Sequence, residues 1–528
     1  MMDAGRHELI ETVTCAEVVE CEGAPGDYRV KVVQHPRYVD VDKCVACGVC
    51  VDECHIVQGN EFDYNLKARK AIYRPFPQSV PAAYVIDMDH CKRCWRCVKA
   101  CEVDAIDLDM PPRDLEISAG AIVVASGFEE FDASLLGNYG YARFPNVITS
   151  LELERMLNAN GVTRGHVVRP SDQQTPKSIL FVQCVGARGE GGRPYCSRFC
   201  CMNAVKDSML IRQHDPEVKD ITILYTDLRA FGKGFDAFVK RSFEEHSANY
   251  IRGRPAKIDE NPDTKNLAIF VEDTIKHEQQ RLGADLVVLS LAAAPSSGAI
   301  QLADQLGIAV DDCGFIARRD PAASAVETNR EGIYVCGSAV GPQVIPDCVA
   351  TASAAAARAQ LFLTGSRAEE EKEQVEELDL SGEPRVGVLV CHCGINIAGV
   401  VDVEKLVGEA GSIDNVAVAR HLQFACSSVG QDEMVSLVHE HKLNRVVVAA
   451  CTPRTHEPVF RASLARIGFN QYLLEMVNIR DQCTWVHAKD REGAQDKARA
   501  LIRMGVARAR NLEPLYEGAV PMIRSALV

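Results

Sequence analysis

Eight cysteines fall into two runs of identical spacing, Cys44-x2-Cys47-x2-Cys50-x3-Cys54 and Cys91-x2-Cys94-x2-Cys97-x3-Cys101. In a two-cluster module the first three thiolates of a run wrap one face of a 4Fe–4S cubane, and the fourth reaches across to the other cubane. The spacing therefore predicts one cluster on Cys44, Cys47, Cys50 and Cys101 and another on Cys91, Cys94, Cys97 and Cys54. His55 and Glu102 stand where proline commonly follows the fourth cysteine, a departure that removes no ligand. Zinc is the weaker reading, because zinc modules need four ligands per site with a longer gap between cysteine pairs. Arg93, Trp95 and Arg96 flank the second run, either tuning its cluster or forming an exposed docking surface.

A third set, Cys184-x11-Cys196-x3-Cys200-Cys201, follows an apolar stretch and is embedded in Gly186, Gly189, Gly191 and Gly192. Glycine-rich backbone folds tightly and turns N–H groups toward anionic sulfur. Arg188 and Arg193 nearby offset the charge of a cluster there. The alternative is a buried or redox-active cysteine pair. A fourth set comprises Cys391 and Cys393, in Cys-His-Cys-Gly, with Cys426, Cys451 and Cys483. Cys391 and Cys451 directly follow predicted strands, whose carboxyl ends converge in an open parallel sheet. Five cysteines compete for four positions. The expected ligands are Cys393, Cys426, Cys451 and Cys483, with Cys391 competing; scattered core cysteines are the alternative. Cys15, Cys21, Cys313, Cys336 and Cys348 belong to no set and read as structural.

Two strand-to-small-residue turns suggest a flavin. One is Ile122-Val123-Val124-Ala125-Ser126-Gly127. The other is Gly332-Ile333-Tyr334-Val335-Cys336-Gly337, continuing through Ser338, Gly341, Pro342, Ile345 and Pro346 into an alanine-rich helix. Such turns let backbone approach a cofactor, and the helix aims its first N–H groups at anionic or electron-rich atoms. Tight strand-to-helix packing is the bland alternative.

These residues must be carried by several domains. The 528 residues are 47% apolar, enough for multiple cores, and strands alternate with helical patterns over most of the chain. Residues 121–125, 178–182, 221–225, 268–271 and 285–289 read as buried parallel strands. The acidic stretch 368–373 reads as a solvated linker. A second α/β rhythm follows it, with strands near 386–390 and 445–449 and helices over 403–410, 433–441 and 494–511. A net charge of −15 and the lack of a Lys/Arg run argue against nucleic acid. The longest apolar stretches, 121–125 and 446–450, are too short to cross a bilayer, and no signal peptide opens the chain, so the cytoplasm is expected. Clustered cysteines in a large chain point to metal rather than disulfides.

Nearly the whole chain resembles the A-type subunit of heterodisulfide reductase, the flavin-containing iron–sulfur component of electron-bifurcating complexes. The resemblance rests on Phe181-Val182-Gln183-Cys184-Val185-Gly186, Tyr195-Cys196-Ser197-Arg198-Phe199-Cys200-Cys201, residues 328–356 and Cys391-His392-Cys393-Gly394. It implies an α/β, thioredoxin-reductase-like flavoprotein fold (1–37 and 110–365) with an inserted ferredoxin domain carrying two 4Fe–4S clusters (38–109). An acidic linker (366–383) and a small C-terminal α/β cluster domain (384–528) complete the expected organisation. The family places its small cysteine-rich domain before the flavin domain, whereas here it comes last. The family's flavin domain opens with a G-x-G-x-x-G turn cradling the FAD pyrophosphate, and no such turn opens this chain. The chain accordingly reads as the middle of a duplicated subunit, a split product or a truncated sequence. FAD is then expected in the assembled complex, with another polypeptide or copy supplying the missing segment, rather than on the isolated chain.

The expected function is electron transfer within a heterodisulfide-reductase-like, electron-bifurcating complex, in company with its other subunits. Two alternatives are an NAD(P)H-dependent iron–sulfur flavoprotein like the small subunit of glutamate synthase and a flavin-free polyferredoxin-like wire. The first needs a glycine-rich dinucleotide turn inside residues 130–290, and Val185-Gly186-Ala187-Arg188-Gly189 matches poorly. Flavin absorption over the broad iron–sulfur band would exclude the second.

Overall fold

The computed structural model describes every residue except 1–3, 8, 45, 77, 190, 364–374, 394–395, 517 and 519–528. The acidic stretch 368–373, Gly394 of the fourth motif and residues 526–528 lie outside the described residues. Strands β1 (Ala16–Ala24) and β2 (Asp27–Gln34) form an antiparallel hairpin. The chain then leaves this sheet and returns as β3 (Arg113–Ala119), antiparallel to β2 with Arg113 opposite Gln34. Because the departing and returning ends are neighbours in one ladder, residues 35–112 stand off the sheet as a module of their own.

Inside that module each cysteine run builds the same local structure. The Asp40 and Asp87 carboxylates accept the N–H of Asp42 and Asp89, at 3.0 and 3.2 Å. Their carbonyls accept the N–H of Cys44 and Cys91, both at 3.0 Å. Gly48 and Trp95, at φ 92° and 62°, then start the short helices α1 (Val49–Asp52) and α2 (Arg96–Ala100). Glycine takes a left-handed φ without strain, whereas Trp95 is held there by its surroundings. The module's apolar core is small: Val39, Ile72, Ile86, Ala105, Ile106 and Leu108, packed with Cys50 and Cys97.

Further along run β4 (Ile122–Val124), β5 (Phe128–Glu130), β6 (Val147–Thr149), α3 (Ser150–Leu157), β7 (Ser178–Val185), α4 (Cys200–His214), β8 (Asp220–Tyr225) and β9 (Ala248–Arg252). Next come β10 (Pro255–Glu260), β11 (Leu267–Asp273), β12 (Glu278–Ala284), β13 (Leu286–Leu291), β14 (Ala293–Pro295), β15 (Ile333–Val335) and α5 (Ile345–Ala359). A five-stranded parallel sheet has the order β6-β13-β7-β8-β9. From β7 the chain steps outward to β8 and β9, then returns on the other side at β13. Strand order therefore reverses at the carboxyl end of β7, where open α/β sheets bind their ligands. Strand β11 corrects the sequence reading of 268–271 as a parallel strand: it is the centre of an antiparallel trio with β10 and β12. Its alternating buried and half-exposed pattern belongs to a one-sided sheet. Strand β4 pairs in parallel with β15, and β5 pairs antiparallel with β14.

The C-terminal unit comprises β16 (Val386–Cys391), α6 (Val403–Gly411), β17 (Val416–Leu422), α7 (Ser428–His441), β18 (Arg445–Ala450), α8 (Pro453–Ala465), β19 (Leu474–Asn478) and α9 (Arg491–Ala509). Its sheet is wholly parallel, in the order β17-β16-β18-β19, and β16 and β18 are buried along their whole length. That burial on both faces is what their unbroken apolar runs require. Leu378 N–H donates to the Gly468 carbonyl at 2.8 Å, and Leu378 and Leu380 pack on this core. The unit therefore includes residues that the sequence reading assigned to the linker.

Candidate metal centres

The inserted module brings its eight cysteines together in crossed pairs. Burial pushes the Cys50 thiol up to about 12, and the next contributions come from Cys44, Cys47, Cys97 and Cys101. Cys97 is also raised by burial, and the cysteines acting on it are Cys91, Cys94 and Cys54. The fourth cysteine of each run thus lies among the first three of the other, and Cys97 also neighbours Cys50. A small pocket opens among Cys54, Cys91, Cys94 and Cys97, walled by Ile56, Ile72 and Leu108. Backbone N–H groups point at sulfur: Arg93 on Cys91 at 3.4 Å and Ala105 on Cys101 at 3.3 Å. Thiol-only donor sets with N–H groups on sulfur suit cubanes. Among the described residues no group of three or more His, Cys, Asp or Glu closes to the spacing of one bound ion. Arg93 pairs with Asp109 at 2.7 Å, and Trp95 is exposed beside it.

The third set gathers at the reversal point of the five-stranded sheet. A register shift between Val182 and Val185 bulges β7, and Cys184 takes a left-handed φ of 61°. Bulges re-aim a side chain, and here the sulfur turns toward α4. Cys200 and Cys201 open α4, whose dipole favours thiolate. Cys200 is raised by its hydrogen bond to Cys201 and by burial, with Cys184 and Cys196 adding to the effect; Cys201 is lowered by that same bond. Arg198 N–H donates to Cys196 Sγ at 3.3 Å from a left-handed residue. This is the turn that Arg93 makes on Cys91. A side chain at Gly186 would strike the Phe131 ring at 2.3 Å, so the loop closes only with glycine there. Arg188 and Arg229 both pair with Asp227, and Arg254 donates to the Ala187 carbonyl at 2.7 Å. The thiol set thus lies at the carboxyl end of β7, where the strand order reverses.

In the C-terminal unit a cysteine stands at or just past the carboxyl end of each strand: Cys391 ends β16, and Cys426, Cys451 and Cys483 follow β17, β18 and β19. Cys391 is raised by its bond to Cys393 and by burial, with Cys393 and Cys426 adding to it; Cys393 is lowered. Burial pushes Cys451 to about 11, and Cys426 and Cys393 contribute. Those four face one another. Cys483 stands apart, fully buried, with Sγ donating to the Ala494 carbonyl at 3.2 Å and Lys497 as its charged neighbour. The structure therefore brings Cys391, rather than Cys483, beside Cys393, Cys426 and Cys451. The reason is the turn after β19, which carries Cys483 past the sheet edge and under α9. The loop holding Cys426 is positioned from below: Gln431 Nε2 donates to its carbonyl at 2.9 Å, and Ser463 Oγ to Gln431 Oε1 at 2.5 Å.

Residues 84–107, containing the second cysteine run, match the 4Fe-4S binding domain family. The chain is 42% identical over 410 residues to the A-type subunit of the H(2):CoB-CoM heterodisulfide,ferredoxin reductase of Methanothermobacter thermautotrophicus, covering 75% of this chain and 62% of that protein. It is 47% identical over 357 residues to the A-type iron-sulfur subunit of the CoB--CoM heterodisulfide reductase of Methanocaldococcus jannaschii, covering 67% of this chain and 54% of that protein. The chain is a relative of the heterodisulfide reductase A-type subunits. It spans 62% and 54% of the lengths of these two proteins. Among solved structures, thioredoxin reductase of T. acidophilum aligns with 62% of this chain and 95% of its own, at 13% identity and a TM-score of 0.31.

Within this heterodisulfide reductase relative, the residues read as flavin-facing cluster around β4 and β15. Gly127 follows β4 with φ 73° and open space at its Cα; Gly337 and Ser338 form a short turn after β15. Gly337 N–H donates to Thr351 Oγ1 at 3.1 Å, tying that turn to α5. Gly341 (φ 145°) also faces open space, Pro342 leads on toward α5, and Ile345 and Pro346 open the helix with no side-chain cap on its N–H groups. Ile345 and Val349 are exposed. Sequence reasoning missed the contacts joining this region to the third cysteine set. The Phe128 ring lies 5.3 Å from that of Phe199, and Arg198 pairs with Asp347 of α5 at 2.8 Å. Their only trace in the sequence is adjacency to Gly127, Cys200 and Pro346.

No helix among the described residues is long and apolar enough to cross a membrane.

Proposed function

We propose that this chain is an electron-carrying oxidoreductase subunit of a heterodisulfide-reductase-like complex, holding two 4Fe–4S clusters in the inserted ferredoxin module and one more at each of the other two thiol sets. The observation that carries the reading is the crossed grouping of Cys54 with Cys91, Cys94 and Cys97, and of Cys101 with Cys44, Cys47 and Cys50. Crossing has no use for a zinc site or for core cysteines, and it is the arrangement two adjacent cubanes need. When bound, such cubanes take up and release single electrons. Cys184, Cys196, Cys200 and Cys201 hold the third cluster; Cys391, Cys393, Cys426 and Cys451 hold the fourth. N–H groups of Arg93, Ala105 and Arg198 stabilise the added charge at sulfur.

Gly127, Gly337, Ser338, Gly341, Pro342, Ile345 and Pro346 would line one side of an FAD in a thioredoxin-reductase-like domain, with the N–H groups of the first turn of α5 toward the flavin. FAD supplies two-electron chemistry that single-electron carriers can divide. Phe128 and Phe199 hold this side close to the third thiol set. Thiolate clusters of this kind suit a reducing compartment such as the cytoplasm.

The test is iron and flavin quantification on the anaerobically purified full chain. About four irons per cluster are expected. Iron below that of two clusters would overturn the reading, and a complex without flavin would overturn the FAD part of it.

A further inference from the structure

The turn after β19 carries a charged residue that no cysteine motif marks. Asn478 Oδ1 accepts the N–H of Arg480 and of Asp481, at 3.2 and 2.9 Å, fixing the start of the turn. The Arg480 guanidinium lies over the Trp485 ring, 4.8 Å from its centroid. Trp485 Nε1 donates to Asn396 Oδ1 at 3.1 Å, Thr484 Oγ1 donates to the Asn396 carbonyl at 2.5 Å, and Asn396 N–H donates to the Cys393 carbonyl at 3.1 Å. The turn is thus pinned to the loop that bears Cys393. Arg480 Nε is buried and makes no hydrogen bond; its nearest countercharge, the Asp481 carboxylate, is 3.5 Å away. Ion pairing for fold stability alone would satisfy Nε. Here a guanidinium is held on an aromatic shelf with a bare N–H beside a thiol set.

We propose that Arg480 is a positioning residue that raises the reduction potential of the C-terminal cluster, with Asp481 partly offsetting it. This rests on the reading that Cys391, Cys393, Cys426 and Cys451 hold a cluster. An electron added to a cubane adds negative charge at the thiolates, and a fixed cation in a partly desolvated site stabilises that charge. Trp485 is exposed, so the shelf that holds Arg480 sits at the surface.

The test is a potentiometric titration of the anaerobically purified full chain, followed by paramagnetic resonance. The signal of interest is the one missing from Cys426→Ser. Arg480→Gln lowers its midpoint potential, Arg480→Lys leaves it close to the unmodified protein, and Asp481→Asn raises it. An unchanged midpoint in Arg480→Gln with the signal intact overturns the role of Arg480. Should Arg480→Gln lose the cluster altogether, Asp481→Asn decides: an unmoved midpoint there overturns the proposal as well. If Cys426→Ser removes no signal, the cluster reading falls first, and this inference falls with it.

Discussion

The inserted module and the C-terminal unit each gather thiols at one place, and they do so by opposite means. In the module three thiols of each group come from one short stretch and only the fourth comes from the other run, and the apolar core beside them is a handful of residues in which Cys50 and Cys97 themselves take part. In the C-terminal unit the thiols come from residues up to sixty positions apart in the chain, Cys391 to Cys451. They meet only because three neighbouring parallel strands end at one edge over a large buried core. Each fully buried Val, Leu or Ile contributes about 1.5–3 kcal/mol, and the C-terminal core has many where the module has few. On the proposed reading the module is expected to need its clusters to fold, whereas the C-terminal fold is expected to form without one.

The sharpest way to break this contrast is to remove one ligand from each region. Cys54→Ala, though it lies in the first run, should abolish the paramagnetic signal of the second cluster and lower iron by at least about four atoms. Cys426→Ser should cost about one cluster and leave the module's signals untouched. Loss of the first cluster alone in Cys54→Ala would refute the crossed grouping.

Stripping the iron probes the same difference with a smaller effect. Metal-dependent modules lose their fold with the metal, so limited proteolysis of the apoprotein should cut within residues 38–109 while a fragment spanning about residues 376–512 survives. Equal protection of both regions would show that the module's small core suffices. The mildest perturbation is Cys483→Ala. It removes a buried atom and one weak hydrogen bond, so stability should fall by about 1 kcal/mol with iron content unchanged. Loss of a cluster in this variant would restore Cys483 as a ligand.

What could be read in the sequence follows the same division. In the module the gathering of the thiols is legible from spacing because the relevant geometry is local: three cysteines of each run lie within seven residues, and only the fourth must travel. The C-terminal set was half legible. Strand ends near Cys391 and Cys451 were visible as apolar runs, but β17 and β19 are mixed in polarity. Without their register nothing distinguished Cys483 from Cys391. Strand β11 was misread for a related reason, since a short apolar run looks alike in parallel and antiparallel sheets until its partners are known. Arg480 and the Phe128–Phe199 contact were invisible, because both depend on loops from distant parts of the chain meeting.

The entry and exit of the module sit side by side as Gln34 and Arg113, paired residues of neighbouring strands. A tight turn between them would leave the same hairpin, so the sheet is indifferent to what is spliced there. Beyond this doorway the described residues include an anchor to the larger body, Asp63 with Arg155 of α3 at 2.8 Å, where Arg155 also lies over the Phe62 ring. The arrangement behaves as a socket and plug. The wiring enters and leaves as one cassette, and its orientation is set by contacts of Phe62, Asp63 and Leu66 with the larger body rather than by the strands that carry it.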